Sequence, residues 1–290
     1  KVALNYRIRW LYISVVCSYK ARILFQTYAM ERFLERAAVS KYKKHFILKG
    51  GALISNIFGL QSRTTFDIDT TLKNILFSLE TVRQMTNEII AIAMPDCIVF
   101  TIDSMTEIRE DAEYPGIRVK MTANLISMKI PLKIDYTTID SITPSEMEYE
   151  YQLMFEDRTI TLLSYNFETI LAEKLETIIS KSTANSRMRD FYDIAIFLLL
   201  KEDEISIEKL QMAILSTAET RKTLQIMQDG NNVIELIRTD ENMKKLWHNY
   251  QIKYEYAFSY DWEVIMTSVS CLYQKAWISQ TKNTDENSKS

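Results

Sequence analysis

Between positions 2 and 39 the chain carries neither glycine nor proline, and its apolar positions predict two helices. In the second, Ile23, Leu24, Tyr28, Met30, Phe33, Leu34 and Ala37 recur near helical spacing, while Glu31, Arg32, Glu35 and Arg36 supply a polar face. Phe46-Ile47-Leu48 is a short buried-strand pattern ended by Gly50-Gly51. Ala52 to Phe58 predicts one or two helical turns, stopped by Gly59. From Thr64 to Leu72 the pattern alternates, with Phe66, Ile68 and Thr70 against Asp67, Asp69 and Thr71, and predicts a strand. Glu80 to Met94 is an amphipathic helix pattern closed by Pro95. Strands are expected at Cys97–Ile102, Ile117–Leu125 and Leu132–Thr138, with a further candidate at Arg158–Leu163.

After Asn166 the period changes from two to about 3.6. Asn166 is placed to cap a helix reaching about Lys181. More helices are expected near 187–200, 206–221, 232–250 and 261–278. The chain therefore divides into 1–165, α/β with leading helices, and 166–280, all helical. A polar stretch, 281–290, predicts a disordered tail.

Composition adds limits. Apolar residues make up 47% and charged residues 25%, a globular balance. A net charge of -3 advertises no global attraction to nucleic acid. Cys17, Cys97 and Cys271 lie too far apart for a CxxC pair, and His45 and His248 have no zinc-ligand spacing. Leu11 to Val16 is apolar but too short to span a bilayer, and no cleavage site follows it. A cytoplasmic protein without a membrane segment is expected.

Five places depart from a bland globular pattern. The chain has 5 glycines, and three of them, Gly50, Gly51 and Gly59, fall within ten positions. A glycine pair between strand and helix either makes a tight turn or lets the helix N–H groups approach phosphate oxygens. Asp67 and Asp69, two apart in a strand, share one face. They repel each other unless a cation lies between them, and Mg²⁺ takes such hard oxygen ligands together with substrate phosphates. Asp135 sits between apolar neighbours in a later strand and is either a surface residue or a third carboxylate of the same clamp. Lys174 falls inside the apolar stripe of Ile170, Leu171, Leu175, Ile178 and Ile179, where it either snorkels or meets an anion such as a triphosphate. Asp190 projects from the apolar face of the next helix, with Asp193 at its rim. Arg187 and Arg189 beside it either neutralise it or face RNA phosphates.

The segments FILKGGALISNIFGLQSRTTFDIDTTLK, PLKIDYTT and NFETILAEKLETIISKSTANSRMRDFYDI, in this order and spacing, resemble the AbiEii/AbiGii toxin family. The resemblance runs from about Ala21 to Leu200 and takes in QTYAMERFLERAAVSKY and IREDAEYPGIRV. It matches the family's glycine turn and DxD at Gly50, Gly51, Asp67 and Asp69, its acidic strand residue at Asp135, its helical lysine at Lys174 and its DxxD at Asp190 and Asp193. The arginine that often follows the lysine is absent: Ile178 stands one turn on, and Arg187 is the nearest downstream arginine.

The resemblance implies an α+β fold, a polymerase beta-like nucleotidyltransferase core with N-terminal helices and a C-terminal helical domain. It implies an Mg²⁺-dependent transfer from an NTP to an acceptor such as tRNA, in a type IV toxin–antitoxin or phage-abortive-infection system with a winged-helix antitoxin. Asp67, Asp69 and Asp135 would be metal ligands. Gly50, Gly51, Thr65, Lys174 and Arg187 would contact the nucleotide, and Asp190 and Asp193 would orient Lys174 or the base. Two other readings stay open at the level of sequence: a catalytically silent nucleotide-binding interaction module, and transfer to a protein or small-molecule hydroxyl.

Overall fold

Helix α1 (Ser18–Val39) fills the second half of the glycine-free stretch. The structure is a computed structural model that describes residues 18–110, 114–138 and 141–278. The first of the two expected N-terminal helices and the 281–290 tail lie outside the described residues. Two units emerge: one built from Lys1–Ile139 with Met147–Ser164, the other from Asp140–Glu146 with Tyr165–Ser290.

The first unit is a seven-stranded mixed sheet with helices. Its elements are β1 (Phe46–Lys49), α2 (Gly50–Phe58), β2 (Asp67–Leu72), α3 (Leu79–Ile90), β3 (Ile98–Glu110), β4 (Tyr114–Leu125), β5 (Met128–Thr137), β6 (Met147–Gln152) and β7 (Thr159–Ser164). The strand order is β3-β4-β5-β2-β1-β7-β6. β2 is thus central, pairing antiparallel with β1 and parallel with β5. Strand period two divides the residues cleanly. Ile68, Ile134, Tyr136, Val119 and Met121 are buried on one face. There Phe33 of α1 packs edge to face on Phe100 and tilted on Phe46, and Thr86 of α3 donates to the Tyr136 hydroxyl at 3.1 Å. Asp67, Asp69, Lys133 and Asp135 share the opposite face by register.

The polar stripe of α1 differs from the sequence expectation. Glu31, Arg32, Glu35 and Arg36 are all buried. The β6–β7 turn and the loop after α3 cover them and bring complementary groups. Arg32 reaches Glu156 at 2.6 Å and Glu35 at 3.1 Å, Arg158 reaches Glu35 at 2.6 Å, and Arg36 clamps Asp96 through two bonds of 2.5 and 2.9 Å. Met154 N–H donates to Glu31 Oε1 at 2.9 Å. Arg32, Glu35 and Arg36 tolerate this depth through their charged partners, whereas burial favours the neutral form of Glu31. Helix α3 stops four residues before Met94, and Arg36 Nε takes the freed carbonyl of Ile92 at 3.1 Å. β3 runs eight residues beyond the expected Ile102, and β6 is a strand that no sequence pattern flagged.

The second unit is helical: α4 (Phe167–Lys181), α5 (Met188–Lys201), α6 (Ile207–Thr220), α7 (Leu224–Gln228), α8 (Gly230–Thr239), α9 (Glu241–Lys253) and α10 (Trp262–Tyr273). Asn166 caps α4 as expected, accepting from Thr169 N–H at 2.7 Å. Its amide also donates to the carbonyls of Thr143 and Ser145, both at 2.9 Å, which ties residues 141–146 to the helices rather than to the sheet. The single helix expected over 232–250 is two. Asp240 is extended and its carboxylate caps the new start at Met243 N–H, 2.9 Å away. No helix among the described residues is long and apolar enough to cross a membrane.

Candidate active site

The other face of the sheet carries two rows of charge, in which Lys120 is exposed and Asp135 is buried. Cross-strand register sets Lys49, Asp69, Asp135 and Arg118 side by side across β1, β2, β5 and β4. In the next row stand Asp67, Lys133 and Lys120. Cross-strand neighbours of this kind lie within reach of each other's side chains. The sequence pair Asp67–Asp69 is therefore joined by Asp135 at the level of Asp69, on the parallel neighbour strand.

Side-chain contacts follow those rows. Arg118 holds Asp135 in a two-pronged clamp, Nε to Oδ1 and Nη2 to Oδ2, both 2.8 Å. Lys133 Nζ lies 2.6 Å from Asp67 Oδ2 and 4.0 Å from Asp135 Oδ2. The three carboxylates occupy neighbouring positions, but among the described residues no three acidic, His or Cys side chains converge into a metal-holding group. The reason is visible: Asp67 and Asp135 are turned to basic partners. The donor set remains one of hard carboxylate oxygens on one face, which is what Mg²⁺ requires of a protein.

The glycine turn abuts this face. Gly50 begins α2 with φ +65°, in the left-handed region, and a Cβ there would collide with the Asp69 carboxylate. At Gly51 a Cβ would strike the Thr65 hydroxyl, and the Gly51 N–H points to Asp69 Oδ2 at 3.4 Å. The close backbone approach expected of this pair is thus made to Asp69 itself. Thr65 is buried, and its hydroxyl meets the backbone N–H and carbonyl of Asp67, both at 3.4 Å. It holds the entry into β2.

The second unit has its own cluster. Lys174 on α4 bridges two carboxylates of α5, Asp190 Oδ1 at 2.7 Å and Asp193 Oδ2 at 2.8 Å. Burial opposes the ammonium, yet the two carboxylates outweigh it and hold the Lys174 pKa above the ordinary lysine range. Lysine and DxxD, 16 residues apart at Lys174 and Asp190, are one packed unit. Arg187 and Arg189 are exposed, so Lys174 rather than either arginine neutralises Asp190.

A profile described as nucleotidyl transferase AbiEii toxin, type IV toxin–antitoxin system, matches residues 32–268. The chain belongs to the AbiEii family. It is a nucleotidyl transferase of that toxin family, as the glycine turn, DxD, lysine and DxxD implied. Two solved structures are similar to this AbiEii chain, each at 13% identity. One, from H. pylori and described as a candidate nucleotidyltransferase, has a TM-score of 0.47 over 88% of this chain and 96% of its own. The other, JHP933 from Helicobacter pylori, has a TM-score of 0.49 over 92% and 97%. No curated protein matches. Sequence reasoning missed Arg118 and the cationic role of Lys133 in this AbiEii site. The alternation of Leu132-Lys133-Ile134-Asp135 did put Lys133 on the Asp135 face, but the partner of Asp135 came from β4.

Proposed function

We propose that this chain transfers a nucleotide from an NTP to an RNA hydroxyl, tRNA foremost, in a magnesium-dependent reaction that makes it the toxin of a type IV toxin–antitoxin or abortive-infection pair. A winged-helix antitoxin would restrain it, in the cytoplasm. The observation that carries the reading is the row Asp69–Asp135 with Asp67 beside it, on one face of a central strand. Lys133 and Arg118 offset the charge of Asp67 and Asp135, and a set of hard carboxylate oxygens gathered on one face is what suits these residues to Mg²⁺.

Asp67, Asp69 and Asp135 would hold Mg²⁺, which supplies charge neutralisation on the transferred phosphate. The acceptor oxygen bonds to the α-phosphorus, the bond to the bridging oxygen breaks, and pyrophosphate leaves. The acceptor proton would pass to a base, and Asp135, once released from Arg118, would align the acceptor hydroxyl and take that proton. The Gly50-Gly51 turn fixes Asp69, Thr65 fixes the start of β2, and α2 presents its first N–H groups beside them. In the helical unit, Lys174, held by Asp190 and Asp193, would orient the nucleotide, and exposed Arg187 would meet phosphate.

Incubation with each α-labelled NTP and total RNA, with Mg²⁺ or with EDTA, tests the reading. Label on RNA that requires Mg²⁺ and disappears in Asp69→Asn is expected. Label on lysate protein instead overturns the RNA acceptor, and no transfer from any NTP overturns the enzyme.

A further inference from the structure

Two cations occupy the oxygens of two of the three carboxylates. Arg118 uses both of its clamping nitrogens on Asp135, and Lys133 lies on Asp67 with Asp135 at the edge of its reach. The two contacts differ in depth: Lys133 and Asp67 are both partly exposed, at 28% and 33%, whereas Arg118, 30% exposed, grips a buried Asp135. A partly exposed pair such as Lys133–Asp67 contributes little to stability and its partner can be exchanged at small cost, whereas the two-pronged Arg118–Asp135 pair yields only to a ligand that replaces both bonds. A divalent ion and a basic side chain compete for the same carboxylate oxygens.

Charge balance then decides what the released cations do. In the two rows, Asp67, Asp69 and Asp135 stand against Lys49, Lys120, Lys133 and Arg118. The face is already slightly positive. A divalent ion adds two further charges, and only an incoming anion can offset them. Guanidinium and ammonium groups at a phosphate site are strong ligands, the guanidinium through its two-pronged geometry.

We propose that Lys133 and Arg118 are triphosphate ligands kept in store on the metal-binding carboxylates, and that a divalent cation displaces them onto the phosphates. The inference rests on the magnesium-dependent reading above. It makes metal and triphosphate binding mutually reinforcing, since each ligand favours the arrangement in which the carboxylates hold metal and the cations hold phosphate. It also gives the two cations effects of opposite sign on two ligands, larger than the general field of a neighbouring cation such as Lys120 produces.

The test is Mn²⁺ binding, followed by the paramagnetic signal of the free ion, and tripolyphosphate binding by calorimetry at fixed Mn²⁺. Lys133→Met removes a competitor for Asp67, so Mn²⁺ alone should bind about threefold tighter or more. The same change deletes a phosphate contact, so tripolyphosphate should bind about tenfold weaker in the presence of Mn²⁺. Arg118→Gln should shift both in the same directions. Lys120→Met, an exposed cation opposite Lys133 on the same face, controls for the general field and should move each by less than about twofold. Unchanged or weakened Mn²⁺ binding in Lys133→Met and Arg118→Gln overturns the proposal, as do shifts no larger than those of Lys120→Met. If a short RNA rather than tripolyphosphate loses affinity, the stored cations serve the acceptor and the triphosphate assignment is overturned. Failure of the wild-type chain to bind Mn²⁺ overturns the magnesium-dependent reading as well. Metal binding and transfer in the wild type without the opposed shifts overturns this inference alone.

Discussion

Lys174 Nζ lies 2.8 Å from Oδ2 of Asp193, a carboxylate with no exposed surface. The same ammonium holds Asp190 at 2.7 Å, so one lysine of α4 secures two acids of α5. Lys174→Met would leave the buried Asp193 carboxyl without that cation. A broken buried pair costs about 3–5 kcal/mol. The expected result is a urea midpoint lowered by that amount, with part of the loss recovered in the double variant Lys174→Met, Asp193→Leu. An unchanged midpoint would mean that Lys174 contributes charge to a ligand and not to the packing of the two helices.

Lys174 was legible as a lysine that needs an anion, because a cation inside an apolar stripe is expensive, but the pattern pointed to a triphosphate and to Arg187 or Arg189 for Asp190, and the anions are Asp190 and Asp193. The DxD was legible for a similar reason: alternation put both acids on one face of a strand whose other residues belong in a core. Glycine scarcity marked the turn beside it. What escaped was everything set by partners distant in sequence. Helical spacing placed Glu31, Arg32, Glu35 and Arg36 together, but could not say that Glu156, Arg158 and Asp96 would arrive to cover them. Strand β6, MEYEYQ, has a single fully buried side chain, Tyr151, and no apolar run to announce it. The grip of Arg118 on Asp135 depends on β4–β5 register, which local pattern does not encode.

Asp67→Asn should separate chemistry from folding. Its ion pair with Lys133 is partly exposed, and replacing it should cost less than about 1 kcal/mol. Transfer of labelled nucleotide should be lost, and expression of the variant chain without an antitoxin should no longer slow growth. Full toxicity in a variant that folds but does not transfer would assign the growth effect to binding.

Gly50→Ala should harm both fold and site. The residue has φ +65°, and the added methyl would meet Asp69 Cβ and its carboxylate. Strain at such a position costs about 1–3 kcal/mol. Because the collision is with Asp69, transfer should fall well below what the lost stability explains at a temperature where the variant remains folded. Gly59→Ala is the comparison: it shares a positive φ, +83°, but a Cβ there meets nothing within 4 Å. It should show the strain without the loss of transfer. Equal activity losses in the two variants would remove Gly50 from the site.

Glu31 gives the chain a pH dependence far from the carboxylate rows. Burial raises its pKa to about 8, against the opposing pull of the Met154 N–H and of Arg32, with Glu156 and Glu35 adding to the rise. Its Oε1 accepts that N–H at 2.9 Å, while Oε2 is buried without a hydrogen-bond partner. A folded-state pKa above the unfolded value means that the folded chain binds the proton more tightly. The stabilising contribution of that proton is complete below the unfolded carboxyl range, near pH 4.5, and is lost progressively as pH rises to about 8. Between pH 6 and pH 9 the loss amounts to about 3 kcal/mol, two pKa units at the usual conversion. Glu31→Gln keeps the shape and the acceptor for Met154 but has no proton to lose. The variant should match or exceed the wild type at pH 6 and exceed it clearly at pH 9, measured as the urea midpoint at each pH. Parallel declines in the two chains from pH 6 to pH 9 would show that Glu31 is ionised throughout, its charge carried by Arg32.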